Sequence, residues 1–130
     1  MNVGNTKITV NLDPGGRTFN IKNCARIKLE NITAYASPGI FIIDSEGEGG
    51  NIYRNVKVIQ KPDTNRLISC NEGVYHGANI EKGSLVEDCE FSRAMDDCFN
   101  IHNRFYIVYK NTEKNEVLLY DPNIGKGEEP

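Results

Sequence analysis

The residues with the clearest chemical potential form one run, Ala94-Met95-Asp96-Asp97-Cys98-Phe99-Asn100-Ile101-His102-Asn103. Two adjacent carboxylates, Asp96 and Asp97, precede a short stretch in which apolar residues alternate with Asn100 and His102. Two carboxyl groups can act as general acid and general base, the pair of roles that inverting hydrolysis of a glycosidic bond requires. The competing interpretation is a solvated Asp-Asp turn before a strand, and the sequence leaves both open.

Polar residues that could hold a sugar occur on both sides of the aspartates in the chain. Asn100 and His102 fall on one side of the predicted strand because side chains alternate along it. His76 follows Tyr75 in the run Glu72-Gly73-Val74-Tyr75-His76-Gly77, where the two rings can stack on a sugar or hydrogen-bond to it. An ordinary surface role for His76 is an equally good interpretation.

A repeat with a drifting period must position these residues. Four segments share an apolar-x-apolar or related core, residues 18–21, 40–43, 66–69 and 98–101. A second series alternates with them, residues 27–32, 52–56 and 85–89. Two series that stay in phase predict an all-β fold, a right-handed parallel β-helix (a pectate-lyase-like solenoid) with a C-terminal β-hairpin. The expected inward column of side chains is Phe19, Phe41, Leu67 and Phe99.

The second series is anchored on an Asn or Asp in each copy, namely Asn31, Asn55 and Asp88. These residue types tolerate left-handed backbone geometry and can hydrogen-bond along a stack of equivalent turns. Each is followed by a residue that can face a core: Ile32, Val56 and Cys89. The sequence therefore predicts a stacked polar turn, and it predicts a structural role for Cys89.

The same register sets the neighbours of the two polar strand residues. It places Asn20, Ile42 and Ile68 beside Asn100, and Lys22, Asp44 and Cys70 beside His102. One His, one Cys and one Asp without close spacing make a weak metal site. We therefore expect no metal ion and no cofactor.

The domain organisation follows from where the repeat stops. We expect β-helix coils over residues 1–104, including an entering strand over Thr6–Leu12, then a β-hairpin over 105–120 that caps the coils or begins an inserted barrel. Residues 121–130 are polar and Gly-rich and predict a loose tail. Exposed ends of a β-helix also favour self-association.

Composition narrows the function classes. The chain has 130 residues, a net charge of −3 and a hydrophobic fraction of 38%, with no basic tract, so we expect neither nucleic-acid nor membrane partners. There is no signal-peptide pattern, and we expect the full-length native protein to be exported to the periplasm, the cell surface or the medium. Four scattered cysteines show no zinc-like spacing; their even count permits disulfides, and free core cysteines are the favoured interpretation.

Several stretches together resemble a known family. They are Arg66-Leu67-Ile68-Ser69-Cys70-Asn71-Glu72-Gly73-Val74-Tyr75-His76, then Gly83, Glu87-Asp88-Cys89-Glu90-Phe91 and Met95-Asp96-Asp97-Cys98-Phe99-Asn100-Ile101-His102. Through them, and most specifically through the Asp-Asp-x-x-Asn-x-His pattern, residues 20–120 resemble glycoside hydrolase family 110.

The resemblance implies a parallel β-helix enzyme that removes α-linked galactose with inversion, including from blood-group B-type glycans. Asp96 and Asp97 would be the catalytic pair, and an oligosaccharide or glycan the partner. The substrate-binding residues would be Glu72, His76, Asn100, His102 and Arg104. A small β-barrel follows the Asn100–His102 strand in such enzymes, and residues 105–120 would begin it.

The chain departs from the family pattern at one place. Asn71-Glu72-Gly73-Val74 stands where an Asn-Ala-Asp-Gly-like run is expected, so the expected carboxylate is absent unless Glu72 replaces it from a shifted position. Family members are also several times longer. The alternative function is therefore a non-catalytic glycan-binding or structural β-helix module of a surface, phage or adhesin protein, and whether this chain alone is active stays open.

Overall fold

The computed structural model describes residues 16–113 and 115–122, which form strands and no helix. The strands are β1 (Phe19–Lys22), β2 (Lys28–Ala34), β3 (Ile42–Ser45), β4 (Ile52–Val58), β5 (Tyr75–Ala78), β6 (Leu85–Glu87), β7 (Glu90–Phe91), β8 (Phe99–His102), β9 (Ile107–Glu113) and β10 (Glu116–Tyr120). Accordingly, a membrane-crossing helix is not found in these residues. The predicted entering strand over Thr6–Leu12 lies outside the described residues.

Two parallel sheets are built by a chain that visits them alternately. The first sheet has the order β1-β3-β5-β8, and the second has the order β2-β4-β6 with β7 also paired to β4. Isolated parallel β-bridges join successive repeats at the two corners between the sheets. They involve Gly49 at one corner and Cys70 at the other. The prediction of an all-β fold with parallel sheets is thus confirmed.

The repeat is more regular than the sequence suggested. Residues in register in the first sheet, Phe19, Ile42, Tyr75 and Phe99, are 23, 33 and 24 residues apart. The second sheet shows the same long step, with Lys28, Ile52 and Leu85 spaced by 24 and 33. One repeat therefore carries about nine extra residues, which lie between β4 and Cys70. We call residues 59–68 the insertion.

The insertion explains an error in the predicted repeat. The segment at residues 66–69 is not a strand, and Leu67 is 75% exposed. The third strand of the first sheet is β5, so Tyr75 takes the place predicted for Leu67, and Ile42 takes that of Phe41. Residues 66–69 resemble a strand in sequence but lie in a loop. In β3 the predicted register was also wrong by one residue, and because side chains alternate along a strand, this error exchanged the predicted inward and outward positions.

The anchor series is confirmed. Asn31, Asn55 and Asp88 all have left-handed backbone, with φ of 58°, 50° and 53°. The Asn55 amide donates to Asn31 Oδ1 at 2.9 Å, along the stack. A left-handed residue interrupts the alternation of the strand, so Tyr53 and Val56 both face inward although they are three residues apart.

The core between the sheets is apolar with one carboxylate inside it. Asp44 is only 2% exposed and accepts hydrogen bonds from Asn51 Nδ2 at 2.9 and 3.0 Å, Tyr53 Oη at 2.7 Å and Ser84 Oγ at 2.8 Å. The sequence placed Asp44 on the outer surface, which is wrong: its register partner is Gly77, and the position faces inward. Neutral donors satisfy the carboxylate, as a buried polar group requires.

The two tyrosines around Asp44 show the same environment. Burial, and then the nearby Asp44, raise the pKa of Tyr75 to about 12, and they raise that of Tyr53 further. Gly77 makes room for the Tyr75 ring, since a Cβ there would lie 2.9 Å from Tyr75 Oη. The phenol is thereby able to lie 3.4 Å from Asp44 Oδ2.

The far end of the sheets leaves apolar positions open. Phe99 is 46% exposed and Ile101 69% exposed, although the residues in register with them on β5 are buried. Beyond β8, β9 and β10 form an antiparallel pair. The division into coils, hairpin and tail stays a prediction, and residues 123–130 of that tail lie outside the described residues.

We expect Asn55→Ala to lower the free energy of unfolding by about 1–2 kcal/mol, because an alanine in left-handed geometry is strained. Asn55→Gly keeps the backbone geometry accessible, so it should cost less than Asn55→Ala. Urea denaturation measures both variants. Equal stability of Asn55→Ala and the wild type would show that the left-handed turn is not required.

Asp44→Asn should cost about 2–3 kcal/mol, because the new amide places hydrogens where Tyr53, Ser84 and Asn51 already donate. Asp63→Asn is the matched control, an exposed aspartate with φ of 56° in the insertion. The same denaturation experiment compares the two substitutions. If both changed stability equally, the buried network would not be a source of stability.

Candidate functional site

Three stacked linkers form the surface that carries the aspartates. Residues 38–41, 71–74 and 95–98 connect the Ser37–Cys70–Ala94 corner to the first sheet, and we call their outer surface the linker face. Backbone hydrogen bonds join them, from Phe41 N to Gly73 O at 3.1 Å and from Val74 N to Asp97 O at 3.1 Å. Parallel stacking therefore brings residues 33 positions apart into adjacent rows in the first two linkers, and residues 24 positions apart in the last two.

Both aspartates are exposed on the linker face. Asn100 Nδ2 donates to Asp97 Oδ2 at 2.9 Å, so the first polar residue of β8 orients the carboxylate that precedes the strand. Among the described residues, neither Asp96 nor Asp97 takes part in an ion pair. Both carboxylates are thus accessible to solvent and have no neighbouring cation paired with them among the described residues.

His76 lies next to this pair. It is directly in register with Asn100 across the β5–β8 ladder, a neighbour that the sequence analysis did not identify. The imidazole packs on Gly73, where a Cβ would lie 2.3 Å from His76 Nε2 and 2.9 Å from the backbone oxygen of Asp97. Nε2 itself is buried and has no hydrogen-bond partner within the described part of the chain. The structure therefore brings Asp97, Asn100 and His76 together around Gly73.

The other predicted substrate-binding residues flank this group in the chain: Glu72 directly precedes Gly73, and His102 and Arg104 follow Asn100. Glu72 is half-buried and occupies the linker position equivalent to Asp96, two residues past the Cys70–Ala94 bridge. His102 is exposed at the end of β8, on the same face as Asn100. Arg104 follows the strand, and its backbone N–H donates to Asn79 Oδ1 at 2.8 Å.

Two of the three neighbours predicted for His102, Asp44 and Cys70, are wrong, whereas Lys22 does share its register column through Ser45 and Ala78. His102 pairs with Ala78, whereas Cys70 is buried at the corner and donates to Gly39 O at 3.0 Å and Gly73 O at 3.2 Å. Burial raises the pKa of the Cys70 thiol, which disfavours a thiolate ligand or nucleophile. With Asp44 in the core, His102, Cys70 and Asp44 do not assemble, and a cluster of three metal-ligating residues is not found in the part of the chain that the structure describes.

A cleft of about 420 Å³ adjoins the linker face at the Cys70 corner. Its walls come from the first-repeat corner, from the insertion and from Asn71 at the start of the second linker. Sequence reasoning missed it because residues 66–69 were assigned to a strand. The signal that could have revealed it was the uneven spacing of the repeat.

Gly73→Ala should displace the His76 ring and weaken the Val74–Asp97 hydrogen bond, at a cost of about 1–3 kcal/mol in stability. Gly83→Ala is the matched control, since a Cβ there meets nothing within 4 Å. Adding His76→Ala to Gly73→Ala should relieve part of the cost, which a double-mutant cycle measures. Strict additivity of the two substitutions would contradict the contact between Gly73 and His76.

Comparisons with known proteins give one informative relative. Alpha-1,3-galactosidase A of Shewanella woodyi (strain ATCC 51908 / MS32) is 24% identical over 117 residues, which are 90% of this chain and 19% of that protein. No protein-family model matches the chain, and no solved structure matches it significantly. The chain spans about a fifth of the length of this curated relative, and the match supports a galactosidase-like relationship.

Proposed function

We propose that this chain is part of a right-handed parallel β-helix that belongs to a galactosidase-like glycoside hydrolase. The regular alternation between two parallel sheets and the stacked corners support the β-helix. Connections between parallel strands are almost always right-handed, which supports the handedness. The β-helix would provide a rigid support for the linker face, where the chemistry takes place.

One observation carries the enzymatic proposal: an accessible carboxylate pair, Asp96 and Asp97, next to Asn100 and His76 on stacked linkers and strands. The reaction would be inverting hydrolysis of a terminal α-linked galactose, with one aspartate protonating the leaving oxygen and the other activating water. The match to an α-1,3-galactosidase supports this sugar and linkage.

The neighbouring polar groups would bind the galactose hydroxyls. The His76 ring packs on Gly73 with Nε2 buried and unpaired among the described residues, and it would turn Nε2 toward a hydroxyl that reaches the Asp97 side of the site. Asn100 holds Asp97 through one amide hydrogen and keeps its carbonyl oxygen available as an acceptor. Glu72, His102 and Arg104 would contact the sugar from the edges of the site.

Asp96→Asn and Asp97→Asn should each lower kcat/KM by about 10²–10⁴-fold, the usual contribution of a general acid or base. Hydrolysis of p-nitrophenyl α-galactoside and of an α-1,3-galactosyl oligosaccharide by the full-length protein measures this. Asp88→Asn is the control, since Asp88 is exposed at a left-handed turn that Asn also tolerates. Unchanged rates in both site variants would rule out the aspartates as the catalytic pair.

Glycan binding without hydrolysis is the second candidate, and Gly73 favours it. Gly73 lies against Asp97, and the space that a larger side chain would need there is filled by the His76 ring. A third carboxylate therefore cannot project from this linker position beside the aspartates. This candidate predicts measurable affinity for α-galactosides with no release of galactose.

A further inference from the structure

The insertion lengthens one repeat and lines a cleft. Two residues lie between Ala34 and Ser37 and between Phe91 and Ala94, whereas eleven lie between Val58 and Cys70. Arg66 links the insertion to the preceding repeat, because its Nη1 donates a hydrogen bond to Tyr35 O at 3.3 Å. Inside the loop, the Gln60 amide donates to Arg66 O, and Thr64 Oγ1 donates to Lys61 O at 2.8 Å.

The lining of the cleft combines apolar walls with two adaptable polar groups. Pro38 and Ile68 provide apolar surface. Ser37 Oγ donates to Gly39 O at 2.8 Å and Ser69 Oγ donates to Ser92 O, so both hydroxyl hydrogens are already used. Arg66 and the exposed Asn71 supply planar groups with hydrogens available for a ligand.

This composition suits a neutral sugar ring. The C–H faces of a pyranose pack on apolar walls, and its hydroxyls accept hydrogen bonds from a guanidinium or an amide at the edge. The volume of about 420 Å³ falls in the range of small-molecule sites. Among the described residues no carboxylate lines the cleft, so it differs chemically from the proposed catalytic surface.

The cleft adjoins the linker that is stacked on the one carrying the aspartates. Asn71 is followed directly by Glu72 on the linker face. The corner beneath it is stacked on the segment that leads to Asp96, through Met95 N to Cys70 O and Ser69 N to Arg93 O, both at 3.0 Å. A chain of sugars with its terminal unit at Asp96 and Asp97 would therefore meet the cleft next.

We propose that the cleft binds the second sugar unit of the glycan, the one to which the terminal galactose is attached, and that Arg66 and Asn71 determine this specificity. The proposal rests on the glycan-directed function proposed above. It assigns the insertion to selection of longer substrates, while the aspartates and His76 act on the terminal unit.

The test compares two ligands that are not hydrolysed, methyl α-galactoside and a sulfur-linked α-1,3-galactosyl galactoside, by calorimetry on the full-length protein. The wild type should bind the disaccharide about tenfold more tightly, in line with one to two good contacts. Arg66→Ala and Asn71→Ala should each remove most of that preference and leave methyl α-galactoside affinity within about twofold. Lys61→Ala is the matched control, because it removes an equal charge from the same insertion outside the cleft.

The outcomes separate the two proposals. A wild-type protein with no preference for the disaccharide, or variants that lose affinity for both ligands equally, would overturn the role of the cleft. A preserved disaccharide preference without any hydrolysis of glycosides would overturn the enzymatic proposal alone. If Arg66→Ala loosens the insertion, as a lower denaturation midpoint would show, Asn71→Ala on the linker decides the result.

Discussion

Backbone pairing between successive repeats is the constraint on which the rest of this structure depends. Its parallel strands are two to seven residues long, and strands of that length bury too little surface to order themselves alone. Each is stable only because the repeats before and after it share ladder hydrogen bonds and a common core. The position of every side chain, inward or outward, is then set by register rather than by local sequence.

The candidate site is a product of that register. Gly73 and Asp97 belong to different repeats, and they meet because their linkers are hydrogen-bonded side by side. His76 and Asn100 meet for the same reason on β5 and β8. Such a site tolerates little slippage, since a shift of one residue would turn both polar side chains toward the core.

Sequence predicted the features that depend on one position at a time. The turns at Asn31, Asn55 and Asp88 were recognisable because few residue types accept left-handed geometry, and that preference does not depend on the rest of the fold. The third strand was missed because residues 66–69 have a strand-like pattern but lie at the end of the insertion and just after it, where they belong to no strand of either sheet. Local pattern cannot distinguish these cases, since pairing partners are distant in the chain.

The buried Asp44 shows the same limit for chemistry. A carboxylate in sequence reads as exposed, because burying one alone is very costly. Its donors come from Asn51, Tyr53 and Ser84, of which Ser84 is forty residues away. Sequence reasoning therefore grouped a structural aspartate with outward-facing residues, and only the packing reveals that its carboxylate lies in the core.

The ion pairs of the described residues do not include the two aspartates of the proposed site. On the second sheet, Arg54 bridges Glu30 at 2.8 Å and Glu87 at 2.6 Å, and at one corner Glu48 bridges Arg26 and Lys82. Hydrogen bonds from Lys82 and Arg26 lower the pKa of Glu48. These exposed ladders add little stability individually, but they neutralise charge along the stack. Asp96 and Asp97 have no such partner among the described residues, so the linker face keeps unneutralised carboxylates where a substrate can reach them.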